Sequence, residues 1–289
     1  MTSKRAILIG LLLSAVACNA ILGIEERLPR PDDAEGDGST NSDGSTDDAI
    51  SSADGASDAS LDGLIEEDVG VGLAVVIPGP GGFAIDRREV TVGEYGEFRA
   101  AAPSFDAGTE LCTWNTTYEP TCTISPNPNA PMTCVDWCDA YAYCLWRGKR
   151  LCGRIGGDKQ HINDFPDAAG DEWTRACAGG LDSNRFSYGV TPDVTKCNVQ
   201  GTFDGGGLVP TGSMPTCVGA TPGVFDLSGN AWEWENACQD SGTAPNNDGC
   251  TFRGGCYANP IADSKCSVGT FLPRDVGSAF VGIRCCKSL

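Results

Sequence analysis

Apolar positions fall into three regimes along the chain. The first is one uninterrupted stretch, Ala6–Leu13, flanked by Lys4-Arg5 and by the small residues Ser14-Ala15-Val16-Ala17. The second, residues 31–70, has isolated apolar residues in a background of Asp, Ser, Gly, Ala and Thr, and no aromatic residue precedes Phe83. The third, from about residue 71, is patterned. Thr91-Val92-Gly93-Glu94 has the spacing of a capping box, with Val92, Tyr95 and Phe98 at helical intervals behind it, which predicts a short amphipathic helix. Asp136 to Trp146 is the longest helix candidate, stopped by Gly148, with Trp137, Ala140, Tyr141 and Cys144 on one face. A third helix starts at Asp171 as N-cap and runs through Trp173 to Cys177, before Gly179-Gly180. Elsewhere Gly and Pro recur at short intervals and apolar runs stay short. This predicts an α+β domain of low regular secondary structure, with short strands and long loops.

The three regimes divide the chain into a targeting segment at 1–17, a tether at 18–70 and a folded domain at 71–289. An apolar stretch of eight is too short to span a bilayer, and its charged start and small-residue end read as an export signal. The small residues ending at Cys18 resemble a bacterial lipobox, which implies cleavage before Cys18, acylation of its thiol and anchoring in a membrane. Asn19 after the cysteine favours the outer membrane. The tether carries 13 Asp or Glu between Pro31 and Asp68 and no Lys or Arg. Such a segment buries too little apolar surface to offset its ordering entropy, and its charge keeps it extended.

The tether therefore holds most of the formal charge of −19. The domain is only mildly acidic and has no basic footprint for nucleic acid. One histidine, His161, in a polar stretch beside Asp158, Lys159 and Asp164, cannot supply a histidine-rich metal site or a series of proton transfers. Of 16 cysteines, 15 lie in the domain, so the chain belongs in an oxidising compartment and at least one domain cysteine stays outside internal bridges. Cys112–Cys122 is the expected local bridge. Cys134-x-x-x-Cys138 lacks the second pair that a metal site needs. Most of the tryptophans occupy core positions; Trp114, beside Asn115-Thr116-Thr117, is the sole candidate for an exposed sugar platform, and a packed position is the expectation for it too.

Several ordered segments then carry a family likeness. Phe83-Ala84-Ile85-Asp86 with Glu89-Val90-Thr91, Val135-Asp136-Trp137 through Gly148-Lys149-Arg150-Leu151, Glu172-Trp173, Gly229-Asn230-Ala231-Trp232-Glu233-Trp234, and Arg253-Gly254-Gly255 with Gly282-Ile283-Arg284-Cys285 resemble, in order, the motifs of the formylglycine-generating enzyme (sulfatase-modifying factor) family. The likeness covers about residues 75–287. A Met-Gly motif before Phe83 is missing, and residues are inserted between Arg154 and Asp171. The resemblance implies a disulfide-rich variant of the C-type-lectin-like fold with calcium as a structural ion. It also implies bridges Cys144–Cys285 and Cys177–Cys266.

Enzymes of that family oxidise a substrate cysteine with copper held by two cysteines shortly after a Gly-Gly-Ser motif. Counted from Gly254-Gly255, those two positions are Asn259 and Ser264, and neither an amide nor a hydroxyl suits soft Cu(I). Copper is not expected, and no catalytic residue is assigned. By the same resemblance, a first calcium set is Asp226, the carbonyls of Gly229 and Ala231, and Glu233. A second is Asn198, the carbonyl of Val199 and Asp204. Hard oxygen donors of this kind suit Ca²⁺. The sequence thus points to an exported, outer-membrane lipoprotein, on its periplasmic or surface face, whose domain is a non-catalytic recognition or scaffold module for an unidentified protein or glycan. Its alternatives are a formylglycine-generating oxidoreductase acting on protein cysteines and a purely structural envelope lipoprotein.

Overall fold

The computed structural model describes residues 65–66, 74–101, 103, 110–164, 170–179, 185–204, 206–242 and 244–289. The expected targeting segment, Cys18 and nearly all of the expected tether lie outside the described residues. Two five-stranded sheets carry the domain. In the first, the strands Ile65–Glu66 (β1), Ala74–Ile77 (β2), Phe83–Asp86 (β3), Arg150–Leu151 (β4) and Cys285–Ser288 (β10) lie in the order β1-β2-β3-β10-β4, every pairing antiparallel. In the second, Gln160–His161 (β5), Trp232–Cys238 (β6), Gly249–Arg253 (β7) and Gly269–Pro273 (β8) lie in sequence order, and Val281–Gly282 (β9) pairs with β6.

Three helices form where the capping residues stand. Val92–Ala100 (α1) opens on a capping box between Thr91 and Glu94, and Tyr95 and Phe98 are its buried face. Trp137–Trp146 (α2) opens on a second box, Asp136 with Asp139. Glu172–Ala178 (α3) is capped by Asp171 and ends on Gly179, whose φ of 72° is the left-handed turn that a glycine adopts without strain. The predicted apolar face of α2 is too narrow. Cys138, Asp139, Ala142 and Tyr143 are buried as well, while Tyr141 is only half-buried and stacks on Trp137. A helix enclosed on most sides does not show a clean 3.6-residue stripe.

Strand β10 separates two apolar cores. Successive side chains of a strand point to opposite faces, and Cys285 packs with α1, α2 and the tryptophans of β6, whereas Cys286 packs with Trp173, Val75 and Phe83. Disulfides staple both faces: Cys144–Cys285 joins α2 to β10 across 141 residues, and Cys152–Cys286 ties the segment after β4 to the other side. Cys177–Cys266 joins α3 to the loop after Gly254-Gly255 across 89 residues. Long closed loops of this size contribute on the order of 4–5 kcal/mol in the chain-entropy account.

The expected bridge Cys112–Cys122 is not formed. Cys112 pairs with Cys138 on α2, and Cys122 with Cys134. The reason is backbone pairing: Thr121 donates to the Cys134 carbonyl at 2.8 Å, which sets residue 122 beside 134, while the short 3-10 turn Glu110–Cys112 docks on the first turn of α2. Trp114 is not an exposed platform. It is half-buried against the core and its indole donates to the Leu111 carbonyl at 2.9 Å. Trp137 and Trp234 tie α2 to β6 in both directions, donating to the carbonyls of Glu235 at 2.7 Å and Val135 at 3.1 Å.

The capping box of α2 is unusual in using two buried carboxylates. Burial pushes the Asp136 carboxyl up to about 6, and burial together with the Asp136 charge pushes Asp139 well up. Acids whose carboxyls are raised on folding stabilise the fold below their unfolded range and lose that contribution as pH rises through the folded value. Glu235 and Asp86 shift in the same direction through burial. The melting temperature is therefore expected to fall as pH goes from 5 to 8. Asp139→Asn should flatten that slope. A melting temperature that is constant or rises from pH 5 to 8 by calorimetry contradicts this account.

Candidate functional site

The loop that follows β7 begins with two glycines in the left-handed region, and both are required by close approach. A Cβ on Gly254 would meet the Trp173 ring at 3.2 Å, and one on Gly255 would meet the Ser264 hydroxyl at 2.2 Å. The chain then turns through Pro260 into the 3-10 segment Ile261–Ser264. This geometry delivers Asn259 and Ser264 into the interior, where both are fully buried. Asn259 Oδ1 accepts from the Cys256 backbone N–H at 3.0 Å and from the Cys256 Sγ at 2.9 Å. Ser264 is held through its carbonyl, which accepts the Ser228 hydroxyl at 2.8 Å. Cys256 lies outside the seven bridges and Cys266 is engaged with Cys177. The loop therefore presents one buried thiol next to an amide.

The first calcium set lies around Arg284. Its guanidinium donates to Glu233 Oε2 at 2.8 Å and Oε1 at 2.7 Å, to the Phe225 carbonyl at 2.7 Å and to the Asp86 carbonyl at 2.7 Å. Trp173 Nε1 adds a bond to Glu233 Oε2 at 2.7 Å. A carboxylate has about four lone-pair directions, so Glu233 retains one. Asp226, at a φ of 62°, accepts the Gly212 N–H on Oδ2 at 2.5 Å. Glu89 is the third buried acid there and accepts from Asn230 Nδ2 at 3.0 Å and the Ala231 N–H at 3.2 Å. Three buried carboxylates thus face one buried guanidinium, and the mutual repulsion of Glu89, Asp226 and Glu233, added to burial, holds the Glu89 carboxyl well above its usual range. That imbalance and the hard oxygen donors fit a cation.

The second set is looser. Asn198 Nδ2 donates to the Gly207 carbonyl at 2.8 Å and to Asn230 Oδ1 at 3.0 Å. The Val199 carbonyl accepts the Thr202 N–H at 3.1 Å, and Asp204 is exposed. No buried charge there asks for a metal. His161, on β5, is exposed, and its Nδ1 accepts the Asn163 N–H at 3.2 Å. Among the described residues no set of three or more His, Cys, Asp or Glu side chains is grouped to bind a metal by itself.

Sequence reasoning missed an open cleft of about 400 Å³ bordered by Arg87, Arg88, Tyr143, Arg147, Lys149 and Phe225. It is assembled from segments far apart in the chain, and no local motif announces it. It shares no lining residue with the Gly254–Cys266 loop.

Residues 77–289 match the model of the sulfatase-modifying factor enzyme 1-like domain. A formylglycine-generating enzyme of Thermomonospora curvata is 37% identical over 130 residues, which is 42% of this chain and 38% of that protein. The inactive C-alpha-formylglycine-generating enzyme 2 of Mus musculus is 30% identical over 173 residues, 55% of this chain and 49% of its own. The chain thus spans half or less of the length of these relatives. The structure of PvdO from Pseudomonas aeruginosa shares the fold, with a TM-score of 0.51 at 22% identity over 75% of this chain and 95% of that one. With the matched model covering every strand from β3 onward and all three helices, the chain belongs to the sulfatase-modifying factor, formylglycine-generating enzyme-like family.

Proposed function

We propose that the protein is a non-catalytic recognition or scaffold module on the formylglycine-generating-enzyme fold, held at the outer membrane by acylated Cys18. One observation carries the loss of catalysis. The two positions where the family holds copper are a buried amide and a buried hydroxyl, and Asn259 is already hydrogen-bonded to Cys256. Cu(I) prefers thiolate, and two thiolates from one turn are what this loop lacks. An inactive relative in the same family is consistent with a fold kept after its oxidase chemistry is lost.

Purified protein should then neither bind Cu(I) stoichiometrically nor convert a cysteine peptide to formylglycine, as read by mass spectrometry. Asn259→Cys combined with Ser264→Cys should create a copper site, and either change alone should not. Tight copper binding or formylglycine from the unmodified protein overturns the reading, and Cys256 is then the first residue to test.

Calcium at Asp226, the Gly229 and Ala231 carbonyls and Glu233 belongs to the same proposal as a structural ion that offsets the acids around Arg284. A bound ion adds its binding free energy to the native state. Chelation should lower the melting temperature by several degrees. Asp226→Asn should blunt that response, because it removes charge while keeping an oxygen for the Gly212 N–H. Glu233→Ala is the poorer probe, since it strands Arg284. Absence of calcium by metal analysis, with melting unchanged by chelators, leaves the loop to hydrogen bonds and the Arg284 pair alone.

Anchoring rests on the lipobox-like residues before Cys18. Cys18→Ser should accumulate an unacylated, larger precursor that no longer partitions with detergent-soluble membrane protein. Unchanged mobility and partitioning would sink the anchor.

A further inference from the structure

The cleft beside β3 is lined mainly by charged side chains. Four cationic side chains, Arg87, Arg88, Arg147 and Lys149, and three carboxylates, Asp86, Glu89 and Glu94, line it, which leaves one formal positive charge. Two of the cations are matched. Lys149 Nζ lies 2.8 Å from Asp86 Oδ1, and Arg88 forks onto Glu94 at 3.1 and 2.9 Å.

Arg87 has no carboxylate partner, and Arg147 has only the distant Glu97 carboxylate and a hydrogen bond to the Tyr143 hydroxyl. Arg87 donates Nε to the Gly223 carbonyl at 3.2 Å and lies 5.8 Å over the Phe225 ring. Arg147 lies 4.8 Å over Trp146 and 5.7 Å over Tyr143, and the Glu97 carboxylate stands 3.9 Å from its NH2, beyond hydrogen-bond distance. Its side chain is only 8% exposed, and its Nε is buried with no hydrogen-bond partner. A guanidinium this far from water with a donor unmet is held at a cost in free energy. Glu89 does not neutralise it, because its oxygens accept from Asn230 and Ala231 instead.

We propose that this cleft binds a carboxylate monoanion, with Arg147 as the guanidinium fork and Arg87 as the supporting cation. A planar carboxylate matches the parallel N–H pair of a guanidinium. A phosphate would bring additional charge against Asp86 and Glu94, which already stand in the lining. Tyr143, Val90 and Phe225 form walls for a short apolar body attached to the carboxylate. A free small acid and a peptide C-terminus offer the same chemistry. The site gives the recognition module a ligand class, yet it does not rest on the state of the copper positions.

Calorimetric titration of the full chain with propionate, with acetyl-Ala-Val as free acid and as amide, and with inorganic phosphate tests it. A carboxylate is expected to bind with a Kd of about 1 mM or tighter, the amide not at all, and phosphate about tenfold more weakly. Preference for the peptide acid identifies a polypeptide terminus, and equal binding of propionate identifies a free acid. Arg147→Gln should weaken binding about tenfold, and Arg147→Lys, which keeps the charge and loses the fork, should weaken it too. If Arg147→Gln does not fold, Arg87→Gln carries the same expectation from a more open position. Absence of binding by both acids at about 10 mM, or undiminished binding by the folded arginine variants, overturns the proposal. Tighter binding of phosphate than of either acid overturns the carboxylate assignment. The copper assay reads out separately, so failure here leaves the non-catalytic reading untouched.

Discussion

The buried pair between Arg284 and Glu233 is the junction on which the domain is assembled. Arg284 precedes β10 in the first sheet, Glu233 lies in β6 of the second, and the remaining guanidinium bonds reach the carbonyls of Asp86 at the end of β3 and of Phe225 in the loop before Asp226. Such a pair is expensive to desolvate, and its worth depends on every donor being met. Here four directed bonds from one side chain locate two sheets and a long loop relative to each other. Removing either partner strands a charge in the interior and costs roughly 3–5 kcal/mol. A second buried pair, Arg253 with Glu235 at 2.5 Å, joins β7 to β6 through an Nε contact.

How legible this was depended on the range of the interaction concerned. Thr91, Asp136 and Asp171 act on backbone groups three residues away, so their helices could be read from the chain directly. Short strands such as β4, β5 and β9 have two residues each and no alternation to detect, since their pairing is imposed by neighbours far away in sequence. The same distinction explains the cysteines. Cys112 and Cys122 look like a local pair by spacing, but the hydrogen bond from Thr121 to Cys134 and the docking of the 110–112 turn on α2 decide otherwise. Spacing alone carries no information about such contacts.

The site was legible in part for a related reason. Gly254 and Gly255 stand where a side chain would crowd Trp173 and Ser264, so the two glycines give a local landmark from which Asn259 and Ser264 are counted. The involvement of Glu89 with Asp226 and Glu233 was not legible, since Glu89 lies about 140 positions from the Asn230-Ala231 groups it accepts from. Arg147 looks like any solvent-facing arginine past the end of a helix until Tyr143, Trp146 and the segment after β3 close around it.

The adjacent cysteines of β10 have a mechanical meaning. Cys285 and Cys286 fasten opposite faces of one strand to α2 and to the segment after β4, and the same strand pairs with β3 along Phe83, Ala84 and Ile85. A pull that enters the domain from its N-terminal side meets β1 and β2 first and then β3, which is paired with a strand that is covalently locked on both sides. At Cys285 and Cys286 that strand cannot peel away from its neighbours while the bridges last. Under oxidising conditions the C-terminal strand acts as a rivet between α2 and the segment after β4.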